Sequence, residues 1–165
     1  METEIYKAET LQQIQAVADI AETVWHETYD PILPAGQTEY MIEKFQSVRA
    51  VQNQLAEKGY IYYLLRCEGV DAGFFAIVPG DGEMMLSKIY LLHKFRGRGG
   101  VKKAFEFIKS LAENRGMHRI WLTVNKENIY AQEVYRHFGF DVYGTQTADI
   151  GNGYVMDDYL MELTL

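Results

Sequence analysis

Cysteine is almost absent from this chain: Cys67 stands alone among 165 residues. An intramolecular disulfide framework and a cysteine-based zinc site are therefore both excluded, and a lone thiol fits a reducing compartment. Long apolar runs are missing as well. The longest, Tyr60 to Leu65, is far short of the roughly 20 residues that a membrane-crossing helix needs. The amino terminus, Met1-Glu2-Thr3-Glu4, has no apolar stretch behind it and does not read as a secretory signal. The expected setting is the cytoplasm, with no membrane partner. Proline is scarce too, at three residues, and no Pro-, Gly- or Ser-rich linker or internal repeat divides the chain. The length suits one domain spanning 1–165, large enough to bury a core without a disulfide or metal staple.

Positive charge is lacking over much of the chain and concentrated in one stretch. Net charge is −7, yet residues 88–103 hold six of the 16 lysines and arginines (Lys88, Lys94, Arg96, Arg98, Lys102, Lys103) and none of the 23 acids. Beyond Arg136 there is no lysine or arginine at all, against Asp141, Asp149, Asp157, Asp158 and Glu162. One basic patch on an acidic body points to a polyanionic ligand at one place and a cationic one elsewhere.

The pattern predicts a short strand over 3–9. A helix follows, opened by a Thr10/Gln13 capping box and carried to about His26 by Leu11, Ile14, Ala18, Ala21 and Trp25. Pro31 and Pro34 mark a loop, and Gln37 to Lys58 reads as one second helix stopped by Gly59. Tyr60–Cys67, Ala72–Val78 and Glu83–Leu92 read as an antiparallel meander, separated by turn residues at 68–71 and 79–82. A third helix starts near Val101. A strand at Arg119–Val124, a fourth helix at Ile129–Phe138, and closing strands at Phe140–Gly144 and Tyr154–Leu163 complete the chain. This order predicts an α+β fold around one mixed sheet of six to seven mostly antiparallel strands, flanked by four helices.

The segment from Lys88 to Lys103 runs strand, glycine-rich turn, helix start. Glycines let a backbone approach a ligand closely, and the free amides and dipole of a helix N-terminus favour phosphate. Arg96, Arg98 and Lys102 bring charge to the same place. A P-loop needs GxxxxGK[ST], which is missing. A Rossmann fingerprint starts at Gly97-Arg98-Gly99 but meets Lys102 at its last glycine. A reading as an RNA-binding RGG segment fails on its single occurrence between ordered elements in a chain of this acidity, so no nucleic acid is expected.

Two blocks together carry a resemblance. Arg96 and Gly99 match [Q/R]-x-x-G-x-[G/A], with Val101 departing at the last small position. Asn128, Ala131, Tyr135, Gly139 and Phe140 match N-x-x-A-x-x-x-Y-x-x-x-G-F. In this order and spacing they resemble the GNAT superfamily of N-acetyltransferases. The resemblance covers at least residues 60–145, and the tail from Ile150 to Tyr159 is similar, more weakly, to the spermidine/spermine-type branch. It implies a GNAT-like fold and acetyl-coenzyme A as co-substrate, with no metal. The amides around Arg96, Gly97, Arg98, Gly99, Gly100, Val101 and Lys102 would take the pyrophosphate. Tyr90 and Leu91 would pair with the pantetheine arm, which Asn128 and Ala131 help to hold. Tyr135 would be the acid that protonates the leaving thiolate, and a backbone N–H at Leu91 or Leu92 would meet the oxyanion.

Some roles stay open. Glu83, His26 and His93 are general-base candidates by chemistry alone, and Cys67 has no histidine pattern that would make it a nucleophile. Trp25, Tyr29 and Tyr40 would line the acceptor end. Of Asp157 and Asp158 at most one faces it, since successive strand residues point to opposite sides. A polyamine-like cationic amine acetylated by direct transfer in a ternary complex is the first expectation. Aminoglycosides, amino acids, protein amines and a non-catalytic coenzyme A-binding module are the alternatives. Oligomeric state stays open, a homodimer included.

Overall fold

Alternation of side chains across the pleat gives the central strands two apolar faces, and each must be covered. The computed structural model describes residues 2–165. Tyr62, Leu64, Phe74 and Ala76 point to one side of the sheet, while Tyr63, Leu65, Phe75 and Ile77 point to the other; all are buried. The elements follow the order β1 (Thr3–Lys7), α1 (Leu11–Tyr29), α2 (Gln37–Met41), α3 (Val48–Glu57), β2 (Ile61–Cys67), β3 (Val70–Pro79), β4 (Glu83–Leu91), α4 (Gly100–Asn114), β5 (Arg119–Asn125), α5 (Ile129–His137), β6 (Asp141–Gly151) and β7 (Tyr154–Thr164). They build one seven-stranded sheet in the order β1-β2-β3-β4-β5-β7-β6. Val17, Ala21 and Val24 of α1, with Met41 and Val51, cover the first face. Ala104, Phe105 and Ile108 of α4, with Tyr135 of α5, cover the second.

The α+β class, the mixed sheet and the succession of strands along the chain agree with the sequence, but among the described residues there are five helices rather than four. Gln37–Lys58 is not one helix. After α2 the chain makes a π-helical turn at Ile42–Gln46, and Ser47 then takes an extended conformation (φ −67°, ψ 159°) before α3. Ser47 holds the break from both sides. Its hydroxyl donates to the Glu43 carbonyl (2.8 Å) and accepts from the Ala50 N–H (3.2 Å), the competition with helix continuation for which serine is suited. The first helix runs on to Tyr29, its Thr10/Gln13 capping box formed as expected, with Leu11 left exposed at its start. The sixth strand extends to Gly151, well past Gly144. It is an edge strand with mostly exposed, polar residues, so the alternating apolar signal that marks a half-buried strand is weak there.

One departure from regular pairing matters most. Among the described residues β4 and β5 are the only parallel neighbours, and they pair only over Glu83–Met85 against Arg119–Trp121. Beyond Met85 they diverge. On its other side β4 keeps pairing with β3 to Gly73↔Leu91, with Ser87 bulged out between Leu86 and Lys88.

Gly73 faces Leu91 so closely that a Cβ there would collide with the Tyr90 carbonyl oxygen and come within 3.2 Å of the Leu91 Cα. Gly73→Ala should therefore displace the end of β4 and lower stability by about 1–3 kcal/mol, as core overpacking does. Urea unfolding should show a reduced midpoint with an unchanged m value.

Candidate active site

The gap between β4 and β5 opens into a cavity of about 850 Å³, closed by the last turn of α1, the start of α4 and the whole of α5. This is within the size of small-molecule and cofactor sites. Hydrogen-bond alternation decides what β4 presents to it. The Leu92 N–H donates to the Ala72 carbonyl at 2.8 Å, which makes that pair a bonded one. The preceding pair, Gly73 and Leu91, is then non-bonded, and the amide groups of Leu91 turn away from β3 into the gap. Its carbonyl accepts from Arg96 Nε at 3.1 Å, leaving its N–H unclaimed. Of the two amides considered for the oxyanion, Leu92's is committed within the sheet and Leu91's is left.

At the mouth, a short 3₁₀ turn (His93–Phe95) leads to Gly97 and Gly99, both left-handed at φ 75° and 88°. A Cβ at either would meet nothing within 4 Å, so glycine is required there for backbone conformation, not for internal packing. Gly99 caps α4 without a side chain, and Lys103 is the first residue to bond back to it. The N–H groups of Gly100, Val101 and Lys102 therefore have no helical acceptor. All three line the cavity, as do Arg96, Gly97 and Gly99. Val101 also packs against the core. Arg98 does not line the cavity; it lies 4.0 Å from Glu68 on the outside. The Lys103 amine binds the Thr3 carbonyl, so it too is drawn away.

Across the gap, the Asn128 side chain caps α5 by accepting from the Ala131 N–H (3.3 Å). Asn128, Ala131 and Tyr135 all line the cavity. Tyr135 is 8% exposed, packed edge-on to Phe105 and tilted against Phe140. Burial pushes its hydroxyl well above the ordinary tyrosine range, and the nearby Tyr29 adds to this, so it stays protonated at neutral pH.

On the wall away from α4 and α5, the Tyr29 and Tyr90 hydroxyls are hydrogen-bonded at 2.9 Å, with Trp25 against both rings at 5.5 and 5.9 Å. Tyr40 lies elsewhere: its hydroxyl bonds the Ile150 carbonyl and pins the β6–β7 turn. The two aspartates separate as strand alternation requires. Asp157 is exposed and paired with Lys126 at 2.9 Å. Asp158 is 7% exposed, and its Oδ1 has no partner. Burial, reinforced by the charge of Asp157, lifts its carboxyl to about 6.

Among the base candidates, Glu83 sits at the opposite end of β4, held by Arg119 at 2.7 Å and by that pairing kept below the usual carboxylate range. His26 is tied to Asp30 at 2.9 Å. Only His93 lines the cavity, beside the glycine loop. Cys67 is buried in the core. Among the described residues, no group of three His, Cys, Asp or Glu is arranged to hold a metal, and no helix is long and apolar enough to cross a membrane.

The chain matches the acetyltransferase (GNAT) family over residues 18–140. It belongs to the GNAT acetyltransferase family. An uncharacterised N-acetyltransferase of Mycobacterium tuberculosis is 35% identical over 96 residues, covering 55% of this chain and 62% of that relative's own length. A second, from Lactobacillus delbrueckii subsp. lactis, is 24% identical over 132 residues, or 75% of this chain and 76% of the relative. Among solved structures, the PaiA N-acetyltransferase of Thermoplasma acidophilum in complex with coenzyme A superposes with a TM-score of 0.82 at 17% identity, each chain fully covered. The GNAT fold is thus shared well beyond the range of sequence similarity.

Within this GNAT chain, sequence reasoning missed the position of Lys88, counted only as part of the basic patch. It lines the cavity, with its amine over the rings of Tyr60 and Tyr62 at 5.4 and 5.6 Å and no carboxylate in ion-pair range. Burial pulls its pKa from 10.5 down to about 7. Between those values the unfolded chain binds a proton that the folded one does not, so stability rises with pH across that window. Below about 7 the whole cost of the half-buried ammonium is present. Lys88→Met should therefore raise the melting temperature relative to wild type more at pH 6 than at pH 10.

Proposed function

We propose that the chain is an N-acetyltransferase that moves an acetyl group from acetyl-coenzyme A to the primary amine of a cationic small molecule. The observation that carries this reading is the cavity between β4 and β5. It gathers an unclaimed backbone N–H at Leu91, three open helix amides behind two left-handed glycines, and a protonated buried tyrosine. Each fits a different part of the thioester cofactor. The amides of Gly100, Val101 and Lys102, with Arg96, would take the pyrophosphate. The outward edge of β4 at Tyr90 and Leu91 would pair with the amides of the pantetheine arm as an added strand does, against Asn128 and Ala131. The coenzyme A bound to the Thermoplasma relative supports this choice of ligand. Val101 in place of a smaller residue removes no donor, since every non-proline residue keeps its amide.

In the reaction, a neutral amine attacks the thioester carbonyl carbon while the acetyl oxygen gains negative charge beside the Leu91 N–H. As the C–S bond breaks, Tyr135 gives its proton to the thiolate sulfur. Cys67, buried and far from any histidine pattern, offers no acyl-enzyme route, so transfer is direct in a ternary complex. Initial-rate plots against both substrates should then give intersecting lines. The cavity wall of Tyr29 and Tyr90, with Trp25 packed behind them rather than lining the cavity, suits a cationic acceptor, as does the acidic body of the protein. The single reduced cysteine fits work in the cytoplasm.

Thiol release from acetyl-coenzyme A in the presence of a panel of amines tests the assignment, and turnover is expected on at least one cationic primary amine. Tyr135→Phe should lower kcat about 100-fold, the usual size of a lost general acid. Calorimetry should find cofactor affinity unchanged in that variant, because the substitution removes only the hydroxyl.

A further inference from the structure

The cavity passes between β4 and β5, so helices from both faces of the sheet meet it. From one face comes the amino end of α4, with its three open N–H groups. From the other comes the carboxyl end of α1, whose last residues, Glu27, Thr28 and Tyr29, all line the cavity.

The final carbonyls of a helix have no partner within it, and here the sequence keeps two of them open. One more helical turn would bring the N–H of residue 31 to the Glu27 carbonyl, but Pro31 has none. The Asp30 amide goes to the His26 carbonyl at 3.2 Å. Those of Ile32 and Leu33 both go to Tyr29, at 3.0 and 2.9 Å. The carbonyls of Glu27 and Thr28 are thus left without a backbone donor. They form the negative end of a 19-residue helix, and the Glu27 side chain adds a full negative charge there. Asp30, the other acid of this end, is held by His26 at 2.9 Å, whereas Glu27 has no basic partner among the described residues.

Two carboxylates line the cavity, Glu27 and Glu133, and they serve different ends of it. Glu133 lies on α5 one turn from Tyr130, whose ring is under the Arg96 guanidinium at 5.3 Å, so it belongs to the phosphate end. Glu27 belongs to the α1 face. The basic side chain on that face, Lys88, stands opposite Ala76 of β3, and Ala76 stands opposite Tyr62 of β2. Its amine, over the rings of Tyr60 and Tyr62, is therefore turned from the gap. Two tyrosines connect Glu27's end of the cavity to the reacting centre. Tyr29 follows Thr28, its hydroxyl meets that of Tyr90 at 2.9 Å, and Tyr90 precedes Leu91, whose amide would meet the oxyanion.

We propose that the carboxyl end of α1 is an ammonium site, in which the Glu27 carboxylate and the open carbonyls of Glu27 and Thr28 hold a second, non-reacting ammonium of the acceptor. The inference rests on the N-acetyltransferase reading and deepens it. The acceptor is a compound with at least two amino groups, and Glu27 is the residue that selects it. An ammonium has three N–H donors and no acceptor, so one carboxylate and two carbonyls can satisfy all three. The carbon chain between the two nitrogens would lie along Tyr29 and Tyr90, whose aromatic faces suit a cationic chain. The cavity thus meets its two ligands with opposite helix ends, amides toward the phosphates and carbonyls toward the ammonium.

The test compares kcat/KM for 1,4-diaminobutane, 1,6-diaminohexane and 1,8-diaminooctane with that for the monoamine of the same carbon chain, at saturating acetyl-coenzyme A. In wild type at least one diamine should exceed its monoamine by about 10-fold, the worth of one hydrogen-bonded charge, and chiefly through KM. That ratio should shrink as salt rises from about 0.01 M to about 1 M, where the screening length falls from about 30 to about 3 Å. Glu27→Gln keeps the size and removes the charge, so it should bring the ratio down to about 2-fold and abolish most of its salt dependence. Pro31→Ala returns an amide within reach of the Glu27 carbonyl and should lower the ratio about 3-fold. Calorimetry with acetyl-coenzyme A checks that both variants are folded, since neither position is at the cofactor end. An unchanged ratio in either variant would overturn the inference, as would equal efficiency of wild type on diamines and monoamines. Both results would leave the acetyltransferase reading standing. A wild type that binds acetyl-coenzyme A but acetylates none of these amines would overturn both.

Discussion

The site depends on a single break in hydrogen bonding, the parting of β4 from β5 after three paired residues. A parallel pair that continued would consume the outward amides of Ile89 and Leu91 in the ladder. Divergence leaves them exposed to a cavity lined by backbone on one side and by α5 on the other. Unpaired strand edges inside a protein are costly because each amide needs a partner. Here the empty edge is also the site's chief asset: an extended ligand can complete the sheet where β5 does not. The close Gly73–Leu91 approach and the bulge at Ser87 keep β4 fastened to β3 while its other edge is free.

Much of this was legible from residue patterns, for reasons that differ element by element. The meander from Tyr60 to Leu92 was readable because buried strands leave aromatic and branched residues in runs bounded by turn chemistry. The glycine loop was readable because left-handed backbone at Gly97 and Gly99 restricts the residue type, and such restriction survives in one sequence. Tyr135 came from its place on a helix face together with the upstream loop. The break at Ser47 was not readable: Ile42–Gln46 has good helical composition, and a serine inside such a run can sit within a helix as well as cap one, so the break shows only in the bonds its hydroxyl makes. Tyr40 looked equivalent to Tyr29 as an aromatic near the acceptor end, yet one pins a hairpin and the other meets the cavity. No local signal separates these, because the partner in each case lies more than 60 residues away.

Charge was legible in aggregate and misleading in detail. The basic stretch 88–103 reads as one patch, but its members do different work. Arg96 and Lys102 line the cavity at the glycine loop, Arg98 and Lys103 turn outward, and Lys88 is half-buried over two tyrosine rings. Strand alternation explains the last case. Within β4, Lys88 and Tyr90 share the face covered by α1, whereas Ile89 and Leu91 face α4 and α5. The same alternation separates Asp157 from Asp158. Spacing alone said that at most one aspartate would face inward; knowing which required the pairing of β7 with Asn125 of β5.

The two unpaired charges on this face, one half-buried and one buried, have opposite sign and the same energetic consequence. Lys88 is drawn down and Asp158 drawn up, each toward its neutral form, because burial disfavours whichever species carries charge. A fold selected only for stability would pair them with each other or replace both by apolar residues, which is often neutral or stabilising. Neither has happened, although both lie on the sheet face beneath α1. Both groups lower the stability of this face, and the rest of the two-faced core supplies what it gives up.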